Sequence, residues 1–223
     1  MTEHAERMQA VVDSVAPLLR ERGFRKQRHA FARETEPGLV QALDFQMGAH
    51  DPPGTVEIPG LRENVYGLFT INLGLWFVEA SRASAPRFVR PSACQLMQRI
   101  GFLLDPPGDA WWPLDGAADV VAREAVAGVA LPWLDRLATR EAIVAAWNAH
   151  DRTVRDDAMV APYTVALVLH ALGGDPSGPL REQLRETIHP GALRRLVENA
   201  REQLGIDLTD EAAVQARRLG GEL

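Results

Sequence analysis

The side chains best placed to do chemistry lie in two short stretches that alternate apolar and polar residues. Residues 39–47 carry Asp44 and Gln46, and residues 68–77 carry Thr70, Asn72 and Trp76. Successive side chains of an extended chain point to opposite faces, so these groups share one face within each stretch. If the stretches pair antiparallel, Asp44, Gln46, Thr70 and Asn72 come within a few side-chain widths of one another, and Arg99 could join them from a further strand. Gly74 would leave room over that face and Trp76 would wall one side of it. An acid, amides, a cation and an aromatic wall suit the binding of a small polar ligand or of a partner's side chain. The same residues could instead form a buried network locking the sheet to a helical layer, or a solvated face, since buried Asp and Arg pair for electrostatic reasons alone.

Other chemistry has weaker support. His50-Asp51 and His150-Asp151 have the form of paired metal ligands, but such sites need several His and Asp side chains converging from helices, and His50 sits in a proline-rich loop. His4, His29, His170 and His189 lack ligand spacing such as an i, i+4 pair. No metal or cofactor is expected. The sequence holds no G-x-S-x-G elbow, no phosphate-binding P-loop and no dinucleotide glycine fingerprint. Cys94 reads as a small buried hydrophobe. Arg20 to Arg33, with Arg22, Arg25, Lys26 and Arg28 at its centre, forms a local basic stretch that could grip phosphates, but only Phe24 and Phe31 interleave it. Trp111-Trp112 beside Pro113 reads either as a stacking platform or as a plug at the end of a core.

The elements that must position these groups are legible from periodicity. In residues 39–47, Leu39, Leu43, Phe45 and Met47 share the face opposite Asp44 and Gln46; in residues 68–77, Phe69, Ile71, Leu73, Leu75 and Phe77 form an apolar row. A shorter strand is predicted around His29 to Arg33. Residues 3–22 read as an amphipathic helix through Met8, Val12, Val15 and Leu19, ended by Gly23. Residues 94–104 fit both periods; Gly101, which would cost a helix interior about 1 kcal/mol against Ala, favours a strand. Loops rich in proline and glycine fall at Asp51 to Asn64 and Asp105 to Gly116. Beyond them residues 117–128, 131–137, 140–150 and 158–172 are helical in pattern, followed by rows through Leu180 to Ile188 and Leu193 to Leu204, with Thr139 and Thr209 as predicted N-caps. Helices follow strands in blocks, which predicts an α+β fold: an N-terminal helix, a small antiparallel sheet of three to four or more strands, and a helical C-terminal half. One compact unit over residues 1–223 is expected, with helix plus sheet in 1–116 and a helical layer or extension in 117–223.

Composition narrows the setting. A single cysteine excludes an intramolecular disulfide and suits a reducing compartment. The first residues mix both signs of charge ahead of no apolar run, so no signal peptide is expected, and the longest apolar stretch, near Tyr163 to Leu172, is too short to span a bilayer. A cytoplasmic location follows as the expectation. The net charge of −6 argues against nucleic acid or an anionic membrane as the general partner.

Several short motifs also occur in a telling order. Gly23-Phe24-Arg25-Lys26 follows a helix, then Phe31-Ala32-Arg33; Phe45-Gln46 closes the second strand, with Asn72-Leu73-Gly74 in the third and Arg99-Ile100-Gly101 after it. Asp109 to Pro113, enclosing Trp111-Trp112, and Leu131 to Leu137 extend the series. Over residues 5–140 this order resembles the bacterial domain of unknown function 4304 family. The resemblance implies an α+β fold in bacterial cytoplasmic proteins and brings no activity, cofactor or catalytic residue. The long Pro/Gly loop before the third strand departs from the family's pattern. The expectation is a non-enzymatic recognition module binding an unknown protein partner or small polar ligand on the polar sheet face; the alternative is a hydrolase or transferase using Asp44 with a partner residue still to be identified.

Overall fold

The computed structural model describes residues 3–49, 58, 64–81, 88–158 and 161–220. It opens with α1 (Glu3–Glu21), whose Met8, Val11, Val12, Val15, Ala16 and Leu19 are buried in one stripe. Glu3 and Glu6 in its first turn and Arg20 in its last complement the helix dipole. Gly23 ends it at φ +82°, a left-handed conformation that glycine takes without a Cβ clash. Its N–H reaches Arg20 O at 2.9 Å, while Phe24 N–H reaches Leu19 O at 3.0 Å, the double closure of a Schellman turn. That turn aims the chain into the sheet.

Six antiparallel strands follow: β1 (Arg25–Gln27), β2 (Ala30–Glu36), β3 (Leu39–Met47), β4 (Leu68–Phe77), β5 (Leu96–Arg99) and β6 (Trp112–Pro113). They run in the order β1-β2-β3-β4-β5, with β6 pairing the start of β4. Tight hairpins join β1 to β2 and β2 to β3, and register sets Leu43 opposite Leu73 and Asp44 opposite Asn72. One face is apolar: Phe31, Leu43, Phe69, Ile71, Leu73, Leu75 and Phe77 are fully buried against α1 and the helices that follow. Each such side chain contributes roughly 1.5–3 kcal/mol on burial. Gln41 interrupts this face, yet its Nε2 donates to Leu134 O and Leu137 O at 2.6 and 3.2 Å, and its Oε1 accepts from Arg33 at 2.9 Å. It thereby satisfies carbonyls left open at a helix end.

The helical half begins with α2 (Ala118–Ala125), a π-helical turn at Val126–Ala130, and α3 (Leu131–Arg136). Pro132 accounts for the wide turn, because it lacks an N–H and its ring would strike the carbonyl four residues back. Then come α4 (Arg140–Asn148), α5 (Arg152–Arg155), α6 (Pro162–Ala171), α7 (Ser177–Glu186), α8 (Pro190–Leu204) and α9 (Thr209–Arg218). Val165 and Val168 of α6 enter the core under the sheet, whereas Ala166 and Leu167 enter a second core built from α7, α8 and α9. Burial on both sides explains why α6 is apolar almost throughout. Among the described residues no helix is long and apolar enough to cross a membrane.

The α+β arrangement, with its leading helix, antiparallel sheet and helical second half, is as the periodicity indicated. Three local readings need correction. Residues 94–104 are a strand only over Leu96–Arg99, then a 3-10 turn over Ile100–Leu103. The reason is at Gly101, where a Cβ would lie 2.1 Å from Gly108 O and 2.4 Å from Ala110 N: a loop crosses there and stops the ladder. Thr209 is the first residue of α9 and not its cap; Asp207 Oδ1 accepts from the Thr209 N–H at 3.0 Å and from its hydroxyl at 2.5 Å. Thr139 does cap α4, accepting from Ala142 N–H at 3.2 Å. The loop at 105–116 contains β6, while nearly all of Asp51 to Asn64 lies outside the described residues.

Candidate functional site

On the second sheet face the ladder lines up three strands. Asp44 of β3 faces Asn72 of β4, which faces Arg99 of β5. Asn72 Nδ2 donates to Asp44 Oδ1 and to Gln46 Oε1, both at 2.9 Å, and Asn72 Oδ1 accepts from Arg99 Nε at 3.3 Å. Both amide hydrogens are thus used, so the side chain is fixed and fixes its neighbours. Arg99 is held from outside as well. Its Nη1 donates to both carboxylate oxygens of Asp109 at 2.7 and 2.8 Å, its guanidinium lies 5.2 Å from the Trp111 ring centre, and Trp111 Nε1 donates to Asp109 at 3.1 Å.

This row floors an open cleft of about 600 Å3. Arg90, Pro91 and Ser92 line one wall; Met97 and Phe102 supply apolar surface. The wall is seated by Gly74: a Cβ there would lie 2.6 Å from Cys94 Sγ and 2.9 Å from Pro91 Cα, so the turn at Pro91–Ala93 rests directly on the strand.

Of the sequence candidates, Asp44, Gln46, Asn72 and Arg99 come together. Two do not line the cleft. Trp76, only 5% exposed, packs with Val40, Ala42, Val89 and Cys94 in a small second-face core under residues 88–94, because Val40 lies directly across the ladder. Gly74 correspondingly leaves no room, since Pro91 and Cys94 fill it. Thr70 pairs with Gln46 in register but is fully buried, and among the described residues its hydroxyl has no hydrogen-bond partner. Periodicity alone could not distinguish the covered end of the face from the open one. It also missed Arg90, Met97 and Phe102, which reach the cleft from turns and a short strand without a distinctive local pattern, and Asp109, which holds Arg99 from outside.

Electrostatics at the cleft are uneven. Burial pushes the Asp44 carboxyl above the usual aspartate range, against the opposing pull of the Asn72 hydrogen bond and of the charges on Arg90, Arg99 and His29. His29 is pushed below the usual imidazole range by burial and by the positive charge of Lys26 and Arg90. The Cys94 thiol is pushed up to about 12 by burial and by Asp44.

Several of the remaining candidates have structural partners. Asp151 caps α5 through Thr153 N–H at 2.9 Å and pairs with Arg136, while His150 Nδ1 meets Asn148 O at 3.1 Å. His50 and Asp51 lie outside the described residues. Among the described residues no three His, Cys, Asp or Glu side chains gather to hold a metal. In the basic stretch, Lys26 pairs with Asp13, and Arg22 and Arg33 converge on Asp135. Trp111 lies against the guanidinium of Arg99, while Trp112 packs 5.6 Å from Phe69 at the end of the core. A larger groove of about 770 Å3 lies between residues 79–81, α6 and α8; of its two carboxylates Glu79 is engaged by Arg140 at 2.7 Å and Glu202 is exposed on α8. No protein-family model, no curated protein and no solved structure matches this chain.

Proposed function

We propose that this chain is a recognition module that takes a small polar ligand, or a side chain of a protein partner, into the cleft over Asp44, Asn72 and Arg99 without turning it over. The observation that carries the reading is the saturated amide of Asn72, which holds an acid and a cation at fixed positions on the floor of an open cleft. Side chains locked by their own hydrogen bonds are preorganised, so a ligand meets them without a further ordering cost. The nearest thiol supports binding over covalent chemistry: Cys94, with a pKa of about 12, is neutral at physiological pH and a poor nucleophile. The family that the sequence resembles supplies no chemistry to borrow, so the cleft alone supports the reading.

The test is a ligand-observed NMR screen of diverse polar fragments against the wild-type chain and against Asn72→Ala, with circular dichroism confirming that the variant is folded. Hits that weaken about tenfold or more in the variant are expected, equivalent to about 1.4 kcal/mol. Hits of unchanged affinity would place recognition elsewhere.

A second reading is a hydrolase or transferase that uses Asp44 as acid or base. The raised carboxyl and the electrostatic reach between it and His29 favour it. A broad esterase and phosphatase screen decides: turnover abolished by Asp44→Asn would establish this reading over the first.

A further inference from the structure

The charges at the cleft can be accounted for one by one. Arg99 is neutralised by the two-pronged contact with Asp109. Asp157, at the edge of the cleft, is neutralised by Arg152 at 2.5 Å. Two charges are left over. Asp44 accepts a single side-chain hydrogen bond, from the neutral Asn72, and among the described residues no cation contacts it. Arg90 is exposed at the cleft wall, and among the described residues no carboxylate pairs with it. The two sense each other electrostatically without touching. His29, the other titratable group that acts on Asp44, is held toward its neutral form and does not compensate it.

A half-buried carboxylate without a counter-charge is unfavourable, and a charge-assisted hydrogen bond from a ligand cation recovers that loss. A guanidinium in the same cleft calls for an anion, for which its planar donor set is suited. Met97, Pro91 and Phe102 line the same cleft and supply its apolar surface.

We propose that the cleft's ligand is a small zwitterion, with an ammonium or amidinium end on Asp44, a carboxylate or other anionic end on Arg90, and an apolar span over Met97 and Phe102. This rests on the recognition reading above and names its ligand class. The Asn72 bond sets the direction of approach, since it occupies one Asp44 oxygen and leaves the other for the ligand.

The test uses the full chain and matched probes. Calorimetric titrations compare ε-aminocaproate with hexylamine and caproate, and γ-aminobutyrate with butylamine and butyrate, so that each zwitterion faces controls lacking one charge. Two separations of charge are thereby sampled. The expected result is binding of at least one zwitterion, tenfold or more tighter than both of its controls. Asp44→Asn, which keeps the acceptor for Asn72, and Arg90→Ala, at an exposed site, should each weaken it about tenfold or more. Singly charged probes binding as tightly, variants without effect, or no zwitterion binding at all would each overturn the proposal. The backbone amide signal of Asn72 then separates the two levels. If other polar fragments still shift it, the recognition cleft stands and only the ligand class falls; if none does, both fall.

Discussion

An aspartate with one hydrogen bond and no cation beside it is an unfavourable group for a folded chain to keep. Among the described residues Asp44 is in that position, and burial raises its pKa. A carboxyl whose folded pKa exceeds its unfolded value binds protons more readily in the folded state. It therefore contributes most to stability below the unfolded value, about 3.9 for aspartate, and loses that contribution as pH rises through the folded value. Asp44→Asn should consequently raise the thermal midpoint at pH 7, with the gain shrinking toward zero near pH 3. Melting curves of both proteins across that range check it, and a difference independent of pH would contradict the assignment. Sites that trade stability for binding commonly behave this way.

At the scale of elements, the cleft exists because residues 88–94 cover only part of the second face. Gly74 allows that cover, so Gly74→Ala should push the Pro91–Ala93 turn off the strand and destabilise the chain by about 1–3 kcal/mol. Denaturant titration reads this directly, and an unchanged midpoint would mean that the turn is not seated there. A second clasp is Arg140, which donates to Glu36 at 3.0 Å, to Glu79 at 2.7 Å and to Pro37 O at 3.0 Å, joining the β2–β3 turn and the end of β4 to α4. Its side chain is 11% exposed, so Arg140→Ala leaves two carboxylates poorly compensated and should cost about 3 kcal/mol by the same measurement. Neither clasp was legible in the sequence. Period-two alternation placed β3 and β4 with their bounds, because Leu43 to Met47 and Phe69 to Leu75 alternate without a break, while Val40, Gln41, Ala42 and Trp76 depart from the pattern. It also put Asp44 and Gln46 on one face of β3 and Asn72 on one face of β4, and the antiparallel ladder then sets them beside Arg99. It failed for Trp76 and Thr70: which part of a sheet face is covered depends on a distant segment, and residues 88–94 carry no periodic signal of their own.

At the scale of the whole molecule, α6 contributes to both cores, with Val165 and Val168 on one side and Ala166 and Leu167 on the other. The two cores are therefore expected to unfold together. Leu180→Ala, a fully buried truncation in the second core, should cost about 2–5 kcal/mol and lower one common transition. Two resolved transitions by calorimetry would show the cores to be independent. Among the described residues, the polar cleft on the sheet and the larger groove beside α6 and α8 each offer a place for a ligand. Backbone amide shifts of the isotopically labelled chain, recorded on adding pooled polar fragments, separate them most directly. The expected result is perturbation centred on Asp44, Asn72, Met97 and Arg99; shifts confined to Leu167, His170 and Glu202, or no shifts at all, would contradict recognition at the sheet.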